Sequence, residues 1–324
     1  MSKYLVVYHQ EDNDGVLSAA MFIDYLVKKL EVERCNIDTL PANYNILSEK
    51  FNTKKRVKEY FGNYDHVMFT DISFNDPNMM CEALKATHVV WIDHHKPIID
   101  EMKKRVFDYS IDGSRDWTKS AILNMYTYLY DPLNTGDNVP LLLRYLSALD
   151  SWSWEREKLS FHDCRCINEA INAEYNLDLK KFIKDIDVFM NVLDENDIRF
   201  QCFYDKGDEI VKMKDENDRI FVEKCGEGGW KVAGSRSAVA VVTSGPTSSI
   251  MFKSVEDKYQ NAIAFKRESN GNWVISLYNT KDDSSFHCGE YLKSKYNGGG
   301  HEGAAGCTIG NIDTIYKMFK EKSI

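Results

Sequence analysis

Thr87-His88-Val89-Val90-Trp91-Ile92-Asp93-His94-His95-Lys96 is an apolar, β-prone run that ends in an acid and two adjacent imidazoles. It has the composition of a buried strand, whose end would deliver three polar side chains to a sheet edge. Packing rarely calls for such a triplet there, whereas a metal site uses imidazole nitrogen and carboxylate oxygen readily. Taken alone, the triplet reads equally well as a helix-capping Asp followed by two surface histidines.

Three other segments are built the same way. Tyr4-Leu5-Val6-Val7-Tyr8 runs into His9-Gln10-Glu11-Asp12-Asn13-Asp14-Gly15, and a helical pattern follows over residues 16–30,. His66-Val67-Met68-Phe69-Thr70 ends on Asp71, ahead of the turn-rich residues 72–78, and Asp150 closes the apolar-periodic residues 139–149. In open parallel α/β sheets ligands bind outside the carboxyl ends of the strands, so acids at such ends can converge on one crevice. Asp12, Asp14, Asp71, Asp93 and Asp150 gathered in one pocket would raise each other's pKa values and destabilise the fold unless cations compensate. Two divalent ions about 3.5–4 Å apart, bridged by one carboxylate, would do so and would also activate water against a phosphoryl group. Oxygen and imidazole donors without thiolate favour Mn2+ or Mg2+ over a structural zinc site, with manganese the first choice.

His9-x-x-Asp12-x-Asp14-Gly15, Asp71, Asp93-His94-His95 and Asp150, in this order, resemble the four motifs of the DHH phosphoesterase superfamily,. Downstream, Asn297-Gly298-Gly299-Gly300-His301-Glu302-Gly303-Ala304-Ala305-Gly306 resembles the GGGH-and-AAG signature of the DHH-associated C-terminal domain. The ordered set spans residues 9–306 and is far more specific than any single motif. The resemblance implies an α/β fold with an N-terminal parallel-sheet DHH domain, a smaller mixed-sheet α/β C-terminal domain, and the active site in the cleft between them. It implies His9, Asp12 and Asp71 as ligands of one metal, and Asp14, Asp71, His94 and Asp150 as ligands of the other, with Asp71 bridging. Asp93 would orient an imidazole or a neighbouring backbone group, and His95 would face the scissile phosphate, so Asp71, Asp93 and His95 form the implied catalytic set. The implied nucleophile is a metal-bound hydroxide, which needs no serine, cysteine or separate general base.

Consecutive glycines let backbone N–H groups approach an anion, and a glycine-rich turn ahead of a helix brings that helix's positive end near. Gly298, Gly299, Gly300 and His301 are therefore expected to hold a terminal phosphate; as a loop taken by itself, the run also reads as a flexible surface segment. The 324 residues and 43% hydrophobic content suit two domains,. The expected organisation is a catalytic domain over 1–185, a charged helical linker over 186–217 and a substrate domain over 218–324. Strands are expected near 4–8, 33–38, 65–70 and 88–92, then 237–243, 261–265 and 273–278, with helices near 246–256, 286–295 and 312–322. Cys164-Arg165-Cys166 beside His162 is poor metal spacing and reads as structural thiols. The start of the chain lacks a basic leader, and no apolar run approaches the ~20 residues that span a bilayer, so a cytoplasmic protein without membrane partners is expected.

The net charge of −9 disfavours a long electrostatic track on duplex or single-stranded DNA,. Small phosphate-terminated substrates fit better. Arg115, Arg165 and above all Arg236 are candidate phosphate contacts, and Trp117, Trp152 or Trp154 candidate base platforms, although each alone is more often a packing or surface residue. Within the superfamily the resemblance implies the nano-RNase branch: a phosphodiesterase with two divalent ions, Mn2+ first and Mg2+ as the alternative, cutting short oligonucleotides or linear dinucleotides to mononucleotides, with a homodimer allowed. Related members hydrolyse cyclic di-AMP or 3′-phosphoadenosine 5′-phosphate, and those substrates stay open, as does a nucleotide-binding regulator without turnover. Two positions depart from the pattern. Tyr278, in Ile275-Ser276-Leu277-Tyr278, stands where many members have a phosphate-gripping arginine, and Asn297 stands where a fourth glycine is common, a milder change because Asn tolerates φ > 0,.

Overall fold

A computed structural model of the chain describes residues 2–105, 111–133, 135, 138–245, 247–281, 285–300 and 302–319. It divides into two compact units, Met1–Val211 and Lys212–Ile324. In the first, β1 (Tyr4–His9), β2 (Ile37–Ala42), β3 (His66–Thr70) and β4 (His88–Ile92) form a parallel sheet in the order β2-β1-β3-β4. Helices cover both faces, which is why the inner strands read as unbroken apolar runs rather than alternating ones. Val6, Tyr8, Met68, Val90 and Ile92 pack on α1 (Asn13–Lys28), α6 (Ala121–Tyr130), α7 (Leu141–Asp150), α8 (Phe161–Tyr175), α9 (Leu179–Lys184) and α10 (Ile186–Asn191). Leu5, Val7, Val67, Phe69, Val89 and Trp91 face α2 (Tyr44–Lys50), α3 (Lys54–Phe61), α4 (Pro77–Ala86) and α5 (Lys96–Lys103).

The chain steps from β1 out to β2, then returns past β1 to β3 and β4. The winding therefore reverses between β1 and β3, and a crevice opens there at the carboxyl ends of the strands. The strand expected near 33–38 begins only at Ile37, because Arg34–Asn36 form a 3-10 turn. It carries Pro41, which an edge strand tolerates,. The helix expected from residue 16 begins at Asn13, capped by Asp12, whose Oδ1 accepts the Gly15 N–H at 2.9 Å,. In the segment expected as a linker, Ile186, Phe189 and Val192 are buried in the first unit's core, and α11 (Ile198–Cys225) runs on past the division between Val211 and Lys212.

The second unit is a mixed sheet of β5 (Glu227–Val232), β6 (Arg236–Thr243), β7 (Asn261–Arg267), β8 (Trp273–Asn279), β9 (Gly299–Gly300) and β10 (Ala304–Ile309), with α12 (Cys288–Tyr296) and α13 (Ile312–Phe319). The order is β5-β6-β7-β8-β10-β9; β6 and β7 run parallel and the other neighbours antiparallel. The helix expected over 246–256 is a 3-10 segment, Ser249–Val255, and residue 246 lies outside the described residues. The glycine run also differs from expectation. It does not precede a helix: Asn297, at φ 54, ends α12, Gly299 and Gly300 form an edge strand, and Ala304-Ala305-Gly306 lie on β10. The N-terminus of α12 nevertheless packs against it: the Cys288 N–H donates to the Glu302 carbonyl at 2.8 Å, and a Cβ on Gly289 would stand 2.3 Å from the Gly300 carbonyl oxygen. Among the described residues no helix is long and apolar enough to cross a membrane.

Candidate metal centre

His9 is the last residue of β1, Asp71 follows β3, and Asp93, His94 and His95 follow β4. The first turn of α1 presses on the end of β1: a Cβ on Gly15 would stand 2.2 Å from the His9 carbonyl oxygen. Only glycine allows that approach, which folds Asp12 and Asp14 back over the strand. Asp150 reaches the same place from the last residue of α7, a helix end rather than a strand end. All of these side chains converge at the β1/β3 crevice.

Asp71 stands at their centre. Its Oδ2 lies 3.5 Å from His9 Nδ1 and its Oδ1 3.1 Å from His94 Nε2. His9 Nδ1 is also 2.7 Å from Asp12 Oδ2, while His94 Nε2 is 3.7 Å from Asp14 Oδ2 and 3.4 Å from Asp150 Oδ2. Asp71 holds φ at 57°, a left-handed conformation that costs a side-chain-bearing residue on the order of 1 kcal/mol,. Asp14, Asp71 and Asp93 are nearly sealed from solvent, at 3%, 2% and 0% exposure. Like charges at about 4 Å repel by about 4 kcal/mol at an effective dielectric near 20. A few such pairs equal the about 5–15 kcal/mol net stability of a domain.

The donors fit a divalent cation. They are carboxylate oxygens and imidazole nitrogens without sulfur, and they fall into the sets His9, Asp12, Asp71 and Asp14, His94, Asp150, each with ligand atoms within 4.8 Å of one another. Asp150 Oδ2 is buried and accepts no hydrogen bond. It also stands at the negative end of α7, where a carboxylate gains nothing from the helix and a cation would,. Asp14 is held by the opposite end of another helix: its Oδ2 and Oδ1 accept the Ala121 and Ile122 N–H groups of α6 at 2.7 and 2.8 Å. Asp93 spends both oxygens on support. Oδ1 accepts the backbone N–H groups of His94 (2.7 Å) and His95 (3.0 Å) and lies 2.7 Å from His95 Nδ1, while Oδ2 accepts Trp91 Nε1–H at 2.9 Å.

Protonation follows from this crowding. Burial opposes charge on His9, yet its hydrogen bonds to Asp12 and Asp71 push the imidazole up to about 10. Burial likewise opposes charge on His94, and Asp71, Asp14 and Asp150 push it up to about 10. Burial pulls His95 down, but the Asp93 hydrogen bond wins and raises it. Asp14 is pushed up to about 7 by burial and then by the Asp71 charge, and burial with the Asp14 charge lifts Asp150 well above the carboxylate range. Asp71 goes the other way: its bonds to His9 and His94 outweigh burial and hold it below the usual range. Protons thus stand where cations would, and a metal must displace them.

No protein-family model and no curated protein matches the sequence. Solved structures match its fold. The DHH domain of a member of a ribosomal-protein family superposes with a TM-score of 0.59 at 14% identity, covering 98% of this chain and 85% of that one. The chain has the fold of the DHH-domain proteins. A pGpG-specific phosphodiesterase, PggH from Vibrio cholerae, superposes with a TM-score of 0.52 at 15% identity, covering 97% of this chain and 95% of its own. An exopolyphosphatase-related protein from Bacteroides fragilis gives 0.53 at 14% identity, covering 98% and 90%.

Within the DHH fold the structure adds one residue to the centre. Tyr44, at the start of α2, sets its ring 6.3 Å from that of His9 and 6.2 Å from that of His95. Its hydroxyl is raised by burial and by the charges of Asp93, Asp71 and Asp12. The signal lies in β2: continued to Ala42 rather than residue 38, that strand puts Tyr44 at the same sheet edge. Other candidates are otherwise engaged. Arg115 donates to the carbonyls of Trp91 (2.9 Å) and Ile111 (2.8 Å), and Arg165 lies over the Phe161 ring at 5.8 Å. Trp154 packs against the core, whereas Trp117 and Trp152 are 52% and 67% exposed.

In the second unit, Arg236 donates Nε–H to Asn261 Oδ1 at 2.8 Å and lies 4.6 Å over the Phe286 ring. Tyr278, in the expected arginine position, is buried and donates its hydroxyl to the Thr247 carbonyl at 2.8 Å, so it replaces a charge with core packing. A Cβ on Gly298 would stand 2.5 Å from the Gly306 carbonyl oxygen, and one on Gly300 2.5 Å from that of Ala304. Packing therefore accounts for those two glycines. A Cβ on Gly299 would meet nothing within 4 Å. His301 lies outside the described residues.

Proposed function

We propose that the chain is a metal-dependent phosphodiesterase that cuts short oligonucleotides or linear dinucleotides to mononucleotides with two divalent ions, Mn2+ before Mg2+. The observation that carries this reading is the placement of Asp71, one oxygen toward His9 and the other toward His94. His9, Asp12 and Asp71 would hold one ion, and Asp14, Asp71, His94 and Asp150 the other. Such a pair, when bound, activates water and clamps a phosphoryl group for in-line displacement. The α6 backbone aims the Asp14 carboxylate and leaves lone pairs for a ligand bond. Asp93 takes the Nδ1–H of His95, which fixes the tautomer and leaves Nε2 for the scissile phosphate,. Gly299, Arg236 and His301 are the proposed substrate contacts, with Gly298 and Gly300 shaping the strand that carries Gly299. Trp152, exposed two residues beyond Asp150, is the proposed base platform,. The pGpG specificity of PggH and the net charge of −9 support a small linear substrate.

The test is a substrate panel: purified protein with Mn2+ and, separately, pApA, pGpG, a longer oligoribonucleotide, cyclic di-AMP and 3′-phosphoadenosine 5′-phosphate, with products separated. Mononucleotides should accumulate fastest from the linear dinucleotides. Turnover confined to one of the last two would replace the substrate, and no turnover of any with metal bound would reject the enzyme. Gly299→Ala should fold normally, since the added methyl meets open space, yet raise KM by about tenfold, or about 1.4 kcal/mol of binding,. An unchanged KM would remove Gly299 from the substrate contacts.

A further inference from the structure

A second group of donors lies on helices of the first unit, away from the sheet edge. α8 and α11 cross at Gly207, where an added Cβ would stand 1.8 Å from the Cys166 carbonyl oxygen. Only glycine permits so close a crossing, and it carries the next residue, Asp208, onto α8 with its Oδ1 3.0 Å from His162 Nε2. His162 and Cys166 are one helical turn apart on α8, and Cys166 Sγ is 3.4 Å from the same Nε2,. The three ligand atoms lie within 4.8 Å of one another. Cys166 is fully buried, whereas the side chains of His162 and Asp208 are 43% and 22% exposed, so the group has a sulfur floor and a polar mouth.

We propose that His162, Cys166 and Asp208 form a separate binding site for a thiophilic divalent cation, with zinc as its type and water completing the coordination. Tetrahedral bonds of about 2.3 Å to sulfur and about 2.0–2.1 Å to nitrogen and oxygen span about 3.6 Å from sulfur to nitrogen and about 3.3 Å from nitrogen to oxygen. The separations of 3.4 and 3.0 Å fall within about 0.4 Å of these edges, and the third pair, sulfur to oxygen, lies within 4.8 Å,. On loading, the Cys166 thiol gives its proton to water as the sulfur–metal bond forms, the proton on His162 Nε2 passes through water to Nδ1 so that Nε2 can bind the ion, and the Asp208 carboxylate exchanges its hydrogen bond from Nε2 for a bond to the ion,. The donor types separate this site from the carboxylate–imidazole centre: sulfur selects zinc-like ions, and oxygen-rich donors suit manganese or magnesium. Local spacing hid it. Cys164, the other half of Cys164-Arg165-Cys166, lies in the apolar core, and the third donor comes 42 positions after Cys166. The ion would pin α11 to α8 and stabilise the first unit by mass action.

The test uses the full chain, stripped with a chelator and titrated with Co2+. A thiolate-to-cobalt charge-transfer band should appear in the near ultraviolet, which no donor of the carboxylate–imidazole centre can produce, and Zn2+ should displace it. The band should vanish in Cys166→Ser. Asp208→Asn and His162→Gln, both at solvent-accessible positions that a folded protein tolerates, should each raise the midpoint by about tenfold or more. No band at millimolar Co2+ in the folded chain, or an unmoved midpoint in any one of the three variants, overturns the site.

Discussion

The two ends of the first unit's sheet carry the same side chain and treat it oppositely. At the amino edge His66 and His88, partners across β3 and β4, face each other Nδ1 to Nδ1 at 3.3 Å, with the Tyr4 ring stacked on His66 at 4.8 Å. Asp112 approaches His88 Nε2 only to 3.7 Å. Burial and the His88 charge push His66 down. At the carboxyl edge burial pulls the same way, yet buried carboxylates push His9 and His94 up to about 10. Histidine in a strand-end position is therefore uninformative by itself. The density of acids at the β1/β3 reversal, and a backbone held at positive φ to deliver one of them, mark the chemical edge,.

The comparison breaks most decisively at Asp71. Asp71→Ala should lower kcat/KM on a linear dinucleotide by more than about 100-fold at saturating Mn2+, beyond the loss expected for a supporting residue. His66→Ala and His88→Ala should leave turnover close to that of the parent, with circular dichroism checking the fold. Equal losses at both edges would erase the distinction, and unchanged turnover in Asp71→Ala would reject the bridging role. Asp93→Asn comes next. It disturbs the His95 tautomer without removing a proposed ligand, so activity should fall by about 10–100-fold while Mn2+ uptake persists,; metal loss in that variant would make Asp93 a ligand in its own right.

A third effect follows from proton linkage. His9 and His94 have folded pKa values near 10 against an unfolded 6.5, so their stabilising protonation is complete below 6.5 and lost as pH rises toward 10,. Asp14, raised from 3.8 to about 7, adds stability that fades across that interval,. The metal-free protein should therefore lose Tm between pH 5 and pH 9, and the Tm gain on adding Mn2+ should grow over the same range because fewer protons need displacing. A metal-free Tm that rises with pH, or a Mn2+ shift that shrinks, would contradict the proton-filled cluster.

Much of this edge is legible in the sequence because His9, Asp71, Asp93 and Asp150 stand at or just after the ends of apolar runs whose period reveals a buried strand or helix. The parallel sheet and the identities of the residues at its carboxyl end follow from Tyr4-Leu5-Val6-Val7-Tyr8 and its counterparts. What is not legible depends on contacts distant in sequence or on single backbone conformations. Tyr44 is hidden by a strand boundary displaced by the 3-10 turn Arg34–Asn36. The capping of Asp14 by α6 joins residues more than a hundred positions apart. The glycine run reads as a loop before a helix because glycine signals a turn, yet Gly298 and Gly300 are glycine for strand and helix packing. Tyr278 reads as a lost phosphate contact, and its structural role, a hydroxyl bonded to Thr247 inside the second unit, has no local signature.

The smallest effect belongs to the amino edge and has the opposite sign to the third. Burial and the His88 charge lower His66, with Asp65 pulling weakly upward, so the folded state disfavours its proton. Stability from this group is present above the unfolded pKa of 6.5 and is lost as pH falls through the folded value,. His66→Gln removes the titration but keeps a polar side chain at a partly exposed position. The difference in Tm between parent and variant cancels the carboxyl-edge contribution, since distant sites add nearly independently. That difference should move in the parent's favour from pH 5 to pH 8 by less than about 2 °C, because the group is half in water and screened. A difference constant with pH would show that the two imidazoles do not oppose each other's charge, and a shift as large as that of the carboxyl edge would mean that burial, rather than the number of neighbouring acids, governs both ends of the sheet.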